Sequence, residues 1–283
     1  MPGMIRRFPT TRKRVDRIAM AYGASMAAAM RQRELFEQVQ TYCMFIGYPR
    51  SGHSLVGSLL DAHPDMVIAH ELDALGFIQN GFRRNQLYAL ILNNSQEIAA
   101  KGRIQTGYDY QIPNQWQGRF RRLQIIGDKR GRGSMTRLQR RPDLLQRMQR
   151  TVRDPMRFVH VVRNPFDNIS TMSKRRDWTL EEAADIYFSL ADTVAGVKRQ
   201  MGDERVIDVR HEAVIADAKG SLKEMCGFLG VVPTDDYLED CAGIIYASPH
   251  RSRHEAPWTD ALRSKVQSRM ERYPFLQGYG WDD

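Results

Sequence analysis

An α/β fold, with a central parallel sheet between layers of helices, is what this sequence predicts. Short apolar runs alternate with helical patterns along most of its length, the arrangement of βαβ units. With 283 residues, 42% of them hydrophobic, the chain can bury a sizeable core. At least two of its apolar runs also end in Gly- or Pro-bearing turns that lead into helical sequence, as such units require.

The elements follow in order. Residues 1–14 carry Arg6, Arg7, Arg12, Lys13 and Arg14 among Pro and Thr and read as a basic, poorly ordered arm. From Val15 to about Gln38, a breaker-poor stretch rich in Ala and Met predicts a helix. That helix either packs on the domain or a partner subunit, or attaches peripherally to anionic lipid. The division is therefore an arm and helix over 1–40 and a single domain over 41–283. Strands are expected at Tyr42–Ile46, Met66–Ala69, Leu123–Ile126, Phe158–Val162 and Arg205–Val209, with helices near 53–61, 135–150, 166–175, 179–201 and 219–229. The stretch of about 72–122, rich in Asn, Gln, Arg, Tyr and Gly, reads as a non-periodic insertion on the substrate side, with "GYDYQIPNQWQGRF" a loop or hairpin.

Lys and Arg outnumber Asp and Glu by 42 to 33, a net charge of +9 that favours an anionic ligand or partner over a neutral one, although a solvated basic surface gives the same count. Cys43, Cys226 and Cys241 form no CxxC pair, so neither a disulfide framework nor a zinc site is indicated, and a reducing, cytoplasmic setting is expected. Asp16 and Arg17 interrupt the most apolar early stretch, leaving no run long enough to span a bilayer. No HExxH, acidic cage or spaced histidine cluster calls for a metal.

"GYPRSGHS", Gly47 to Ser54, has nearly the spacing of a phosphate-binding loop, making the expected architecture P-loop-like and three-layered. Gly52 lets the backbone approach a ligand, Ser51 and Ser54 offer hydroxyls, and a helix start supplies free N–H groups. The usual lysine is absent: His53 takes its place and the basic side chain stands earlier, at Arg50. A second junction lies in "HVVRNPFDNIST", His160 to Thr171. There Asn164 can cap a helix, Pro165 suits its first turn, and Asp167 stands where a carboxylate completes the capping arrangement. Arg163 is thereby held at a strand's carboxyl end, where ligands of open α/β sheets gather.

Together these segments resemble the sulfotransferase family, whose donor is 3′-phosphoadenosine 5′-phosphosulfate (PAPS) and whose product is the 3′,5′-bisphosphate PAP. "YPRSGHS" is similar to the family's 5′-phosphosulfate signature except for His53 in place of Thr. "RNPFDNIST" is similar to its 3′-phosphate signature. There Arg163 matches the arginine, and the hydroxyl falls on Thr171 or its neighbour Ser170. "LLDAHPDMVIAHE" resembles the subgroup containing tyrosylprotein and carbohydrate sulfotransferases and many bacterial members. "VIDVRHEAVIADAKGSLKEMCGFLGV" resembles a scaffold strand and helix, with His211 replacing a usual tyrosine. "SPHRSRHEAPW" resembles a late basic loop that makes Arg251 and Arg253 candidates for the 3′-phosphate.

The resemblance implies in-line sulfuryl transfer to an acceptor hydroxyl on a carbohydrate, lipid, small metabolite or tyrosine. Such a reaction needs a base for the acceptor, a cation for the leaving phosphate and fixed donors around the transferred group. Glu71 matches the subgroup's base, while other members use histidine, which keeps His70 open. Since neighbours on a strand point oppositely, only one of the two is expected to face the site. Arg50 and Lys129 are the candidates for the leaving group, and the backbone N–H of His53 is expected to bind the donor. Two alternatives stand beside this reading. A P-loop kinase requires a lysine at 53 and an acidic strand end, whereas "FVHVVRN" ends in arginine. A non-catalytic module for polyanions or lipid accounts for the charge but not for Arg50, Glu71 and Arg163 at three strand ends; no nucleic-acid partner is expected.

Overall fold

The computed structural model describes residues 11–105 and 107–283, with side chains from residue 18 onward except at Gln105. Helices α1 (Thr11–Arg31) and α2 (Arg33–Glu37) precede β1 (Thr41–Gly47), α3 (His53–Asp61) and β2 (Met66–His70). Then come α4 (Ala74–Gln79), α5 (Arg84–Ala100) and a short hairpin of β3 (Ile104–Gln105) and β4 (Tyr108–Asp109). Strand β5 (Ile125–Lys129) leads through α6 (Gly131–Arg140) and α7 (Asp143–Val152) to β6 (Met156–Val162). After α8 (Pro165–Arg176) and α9 (Leu180–Met201), β7 (Val206–Arg210) completes the main sheet, and α10 (His211–Ala216), α11 (Ala218–Leu229), α12 (Asp235–Gly243) and α13 (Asp260–Met270) follow.

The sheet runs β2-β5-β1-β6-β7 with every pairing parallel. Alternation along β1 divides the core: Tyr42, Met44 and Ile46 pack on one face, Cys43 and Phe45 on the other. All three cysteines are buried and unpaired. Among the described residues, no helix is long and apolar enough to cross a membrane.

The expected parallel α/β architecture is present, with local corrections. Residues 1–10 of the proposed arm lie outside the described residues, while 11–14 already belong to α1. The predicted helix to Gln38 is broken at Gln32. Helix α1 packs on α5: the Gln86 amide donates to Tyr22 O and Ser25 Oγ, and Ala28 and Ala29 are buried. The third strand sits two residues later than its apolar run suggests, because buried Asp128 and Lys129 extend it. The helix expected over 135–150 is two helices, separated at Arg141 and Pro142, since the proline ring cannot continue the helix.

The largest correction concerns 72–122. Its hairpin is present, but most of 74–100 is helical, and α5 buries Leu87, Tyr88, Ile91, Leu92 and Ser95 at helical spacing. Asp61 ties this segment to the sheet. Its carboxylate accepts from Ile68 N at 2.6 Å and from Ser95 Oγ, and it pairs with the buried Arg103. Removing one partner of a buried ion pair strands the other charge, so Arg103→Met is expected to lower unfolding stability by about 3–5 kcal/mol. A urea titration measures this directly; a loss below about 1 kcal/mol would show that the remaining hydrogen bonds suffice.

Candidate active site

A cleft of about 1020 Å³ opens at the carboxyl ends of the strands. Ten of its lining side chains are Lys or Arg and only Glu71 is acidic, so its field selects anions. Two loops, after β1 and after β6, meet in it.

The first loop departs from ordinary backbone geometry twice, with φ of +67° at Arg50 and +96° at Gly52. A Cβ at Gly52 would fall on the His211 ring, so glycine is required by both conformation and space. Helix α3 then starts at His53 with no side-chain cap, leaving first-turn N–H groups for a ligand. Gly52, His53 and Ser54 line the cleft, as does Arg50, which has no acidic partner among the described residues. Burial lowers the Arg50 pKa, with Arg175 and Arg176 adding repulsion. Ser51 differs from expectation: it is buried, its Oγ donates to Tyr48 O at 3.2 Å, and it does not line the cleft.

Below this loop, Lys129 gathers the reactive side chains. Its Nζ lies 3.0 Å from Glu71 Oε1, 3.2 Å from Ser54 Oγ and 3.4 Å from His70 Nε2. The lysine stem passes close over α3, where a Cβ on Gly57 would come within 2.6 Å of it. Burial lowers the Lys129 pKa, while Glu71 opposes that shift. Burial and then Lys129 push His70 down to about 3, which leaves its ring neutral and able to accept from the ammonium. For Glu71, burial alone would raise the carboxyl, but His53 and Lys129 outweigh it and hold it well below the usual carboxylate range.

The expectation that only one of His70 and Glu71 faces the site is overturned. Strand geometry ends at His70, and Glu71 adopts φ +55°, which swings its side chain to the same lysine. Asp128 holds this turn, accepting from Leu72 N at 3.1 Å and Ala74 N at 2.8 Å. The His53 ring stands beside this turn: Nε2 is 3.7 Å from Glu71 Oε1 and Nδ1 3.3 Å from Ser51 Oγ. Burial lowers the His53 pKa, and the ring lies between the loop after β1 and the end of β2.

In the second loop, Asn164 Oδ1 caps α8 by accepting from Phe166 N, and Pro165 occupies the first turn. The expected role of Asp167 is taken by Glu212, which accepts from Asn164 N at 2.8 Å. Asp167 instead accepts from Arg253 N and lies 3.7 Å from its guanidinium. Arg163 is buried and reaches Thr171 Oγ1 at 3.4 Å, Ser252 Oγ at 3.2 Å and His250 O, while its Nε has no partner. Burial lowers its pKa. Thr171 lines the cleft; Ser170 is turned away under Trp258, whose indole N–H donates to it at 2.8 Å. Arg251 is exposed and Arg253 is buried against Gly280 O and Asp283 O, so neither lines the cleft.

A family model described as the sulfotransferase family matches residues 44–236, a span holding both loops and the Lys129 cluster. The chain belongs to the sulfotransferase family. No curated protein matches this sulfotransferase by sequence. Its fold is similar to that of sulfotransferase STF9 from Mycobacterium avium, at 12% identity and TM-score 0.51, over 96% of this chain and 88% of that one. It is likewise similar to the sulfotransferase domain from the curacin biosynthetic pathway, at 16% identity and TM-score 0.50, over 83% and 96% of the two chains.

Several residues of this sulfotransferase site escaped sequence reasoning. Ser252 and His250 reach Arg163 from a segment more than 80 residues away, in the late basic loop where the sequence singles out only Arg251 and Arg253. His211, read as scaffold, lies against Gly52 with its Nδ1 buried and unpartnered; burial pushes it down to about 4. Of the aromatic and basic residues in 108–122, which the sequence offers either as an acceptor wall or as hairpin packing, Tyr108 and Tyr110 line the cleft, whereas Trp116 stacks with Arg119 away from it and Arg121 pairs with Asp65. Arg132, Arg140, Arg175, Arg176 and Trp178 line it too, brought in by α6 and the end of α8.

Proposed function

We propose that this sulfotransferase takes a sulfuryl group from PAPS and passes it to an acceptor hydroxyl in the cleft, with Glu71 as base. One observation carries the reading: two phosphate-type loops, on the neighbouring strands β1 and β6, open into one basic cleft that also holds the Glu71–Lys129 pair. The residues fit such a donor. The uncapped start of α3 and Arg50 suit a phosphosulfate, and Arg163, with a buried unpartnered Nε beside Thr171 and Ser252, suits a second phosphate.

When bound, PAPS supplies an activated sulfuryl group with a phosphate as its leaving group. The chain supplies position and charge. Glu71 takes the proton from the acceptor oxygen, while Lys129 and Arg50 counter charge on the leaving side. Arg50 stays protonated and acts by charge alone. Lys129 has two claims on it: an anion that draws its ammonium away from Glu71 Oε1 relieves part of what holds the carboxyl low, making Glu71 a better base where the donor sits.

Calorimetry with PAP tests the donor site. Wild type is expected to bind saturably, and Arg163→Ala to weaken binding by about 100-fold or more, as fits the loss of two charge-assisted hydrogen bonds of about 1.5–3 kcal/mol each. No binding by wild type would refute the donor; unchanged binding by the variant would refute this map of its phosphates.

A further inference from the structure

Arg132, Arg140, Arg175 and Arg176 line the cleft but have no acidic partner among the described residues. Their neighbours do: Arg137 pairs with Asp73 and Arg141 with Asp143. Arg132 rests over the Trp178 ring at 5.4 Å instead. Helix α6 buries Ser134, Met135 and Leu138, which leaves Arg132, Thr136 and Arg140 on its cleft side. The two arginines on that side are eight residues apart, about 12 Å along the axis. Facing them, Arg175 and Arg176 end α8. These like charges stand near one another: Arg176 adds to the burial that lowers Arg132, and both Arg175 and Arg176 act on Arg50. Unpaired cations held together in a concave surface cost repulsion and constitute an anion site.

The donor does not need them. In the reading above, its phosphates fall to Arg163, Thr171, the 50–54 loop and Lys129. The wall formed by α6 also presents no exposed large apolar side chain, so it offers no seat for an acyl tail. We propose that the acceptor of this sulfotransferase is itself a hydroxyl-rich anion carrying at least two carboxylate, sulfate or phosphate groups, bound by Arg132 and Arg140 on one side and Arg175 and Arg176 on the other. This rests on the donor assignment above. Guanidinium forks match such oxyanions two bonds at a time.

The test is calorimetry on the full chain saturated with PAP, at physiological salt, using a short dextran sulfate oligosaccharide and neutral dextran of equal length. Wild type is expected to bind the sulfated probe at one saturable site and the neutral one not at all. Arg132→Ala with Arg140→Ala, and separately Arg175→Ala with Arg176→Ala, should each weaken that binding about tenfold or more, with partial recovery in the lysine versions. PAP affinity should stay within about twofold in both variants. Equal binding by wild type and variants, binding of neutral dextran, or no saturable site overturns the proposal. A loss of PAP affinity in the variants also overturns it, by assigning the arginines to the donor. Absence of PAP binding by wild type is a different failure, that of the donor reading.

Discussion

Glu71→Gln is expected to reduce kcat by about 10²–10⁴-fold while leaving PAP affinity within about twofold, because the amide keeps the shape of the side chain and loses the proton acceptor. Steady-state kinetics with PAPS and any accepted hydroxyl compound, paired with PAP calorimetry, separate the two effects. A fall in kcat of less than tenfold would move the role of base to His70. The pH profile adds an independent check. His53 and Lys129 hold the Glu71 carboxyl below its ordinary value of 4.5, so the acid limb of kcat/KM should lie below the usual carboxylate range. Lys129→Met should move that limb to higher pH, since removing the cation raises the carboxyl pKa. The sign for stability follows from the same shift. A carboxyl depressed in the folded state contributes fully above its unfolded value of about 4.5, and the contribution is lost as pH falls toward the folded value.

Gly52→Ala should be as damaging to donor binding as the loss of Arg163, through backbone rather than charge. A side chain at φ +96° is disfavoured by about 1–2 kcal/mol, and overpacking against His211 adds about 1–3 kcal/mol. Thermal unfolding should shift down by about 5–10 °C. PAP binding should fall by about 10²-fold or more, since the loop must move from the start of α3 to relieve the contact. Adding His211→Ala should restore the part due to packing and leave the part due to φ, so the double-mutant cycle measures a coupling between the two positions. Independent, additive effects would show that the His211 ring does not limit this loop.

Much of the two loops was legible in the sequence because they are built from local signals. A glycine at a strand–helix turn and an Asn-Pro cap report themselves within a few residues, and Gly52 and Asn164 both occupy the places expected of them. What the sequence hides is long-range pairing. Whether Ser170 or Thr171 faces Arg163 depends on Trp258, which engages Ser170 from 88 residues away. The partner of Asn164 N is Glu212 and not the nearer Asp167, because β7 lies beside β6 and delivers the start of α10 to that point. Helix α5 was obscured by its Asn and Gln content, yet it matters for chemistry: Asn94 Oδ1 accepts from His70 N at 2.7 Å and so fixes the strand end that carries Glu71. The rule of strand alternation separated His70 from Glu71 only because sequence does not show that the strand stops between them.

The strand order has a consequence for how such a protein can diversify. β1 is shared: on one side β5 and β2 deliver Lys129, His70 and Glu71, and on the other β6 delivers Arg163. The helices lining the α6 wall connect strands without forming part of the sheet. Exchanging arginines on that wall is therefore expected to change which acceptor is taken while donor binding is kept, so that one donor chemistry can be paired with different acceptors.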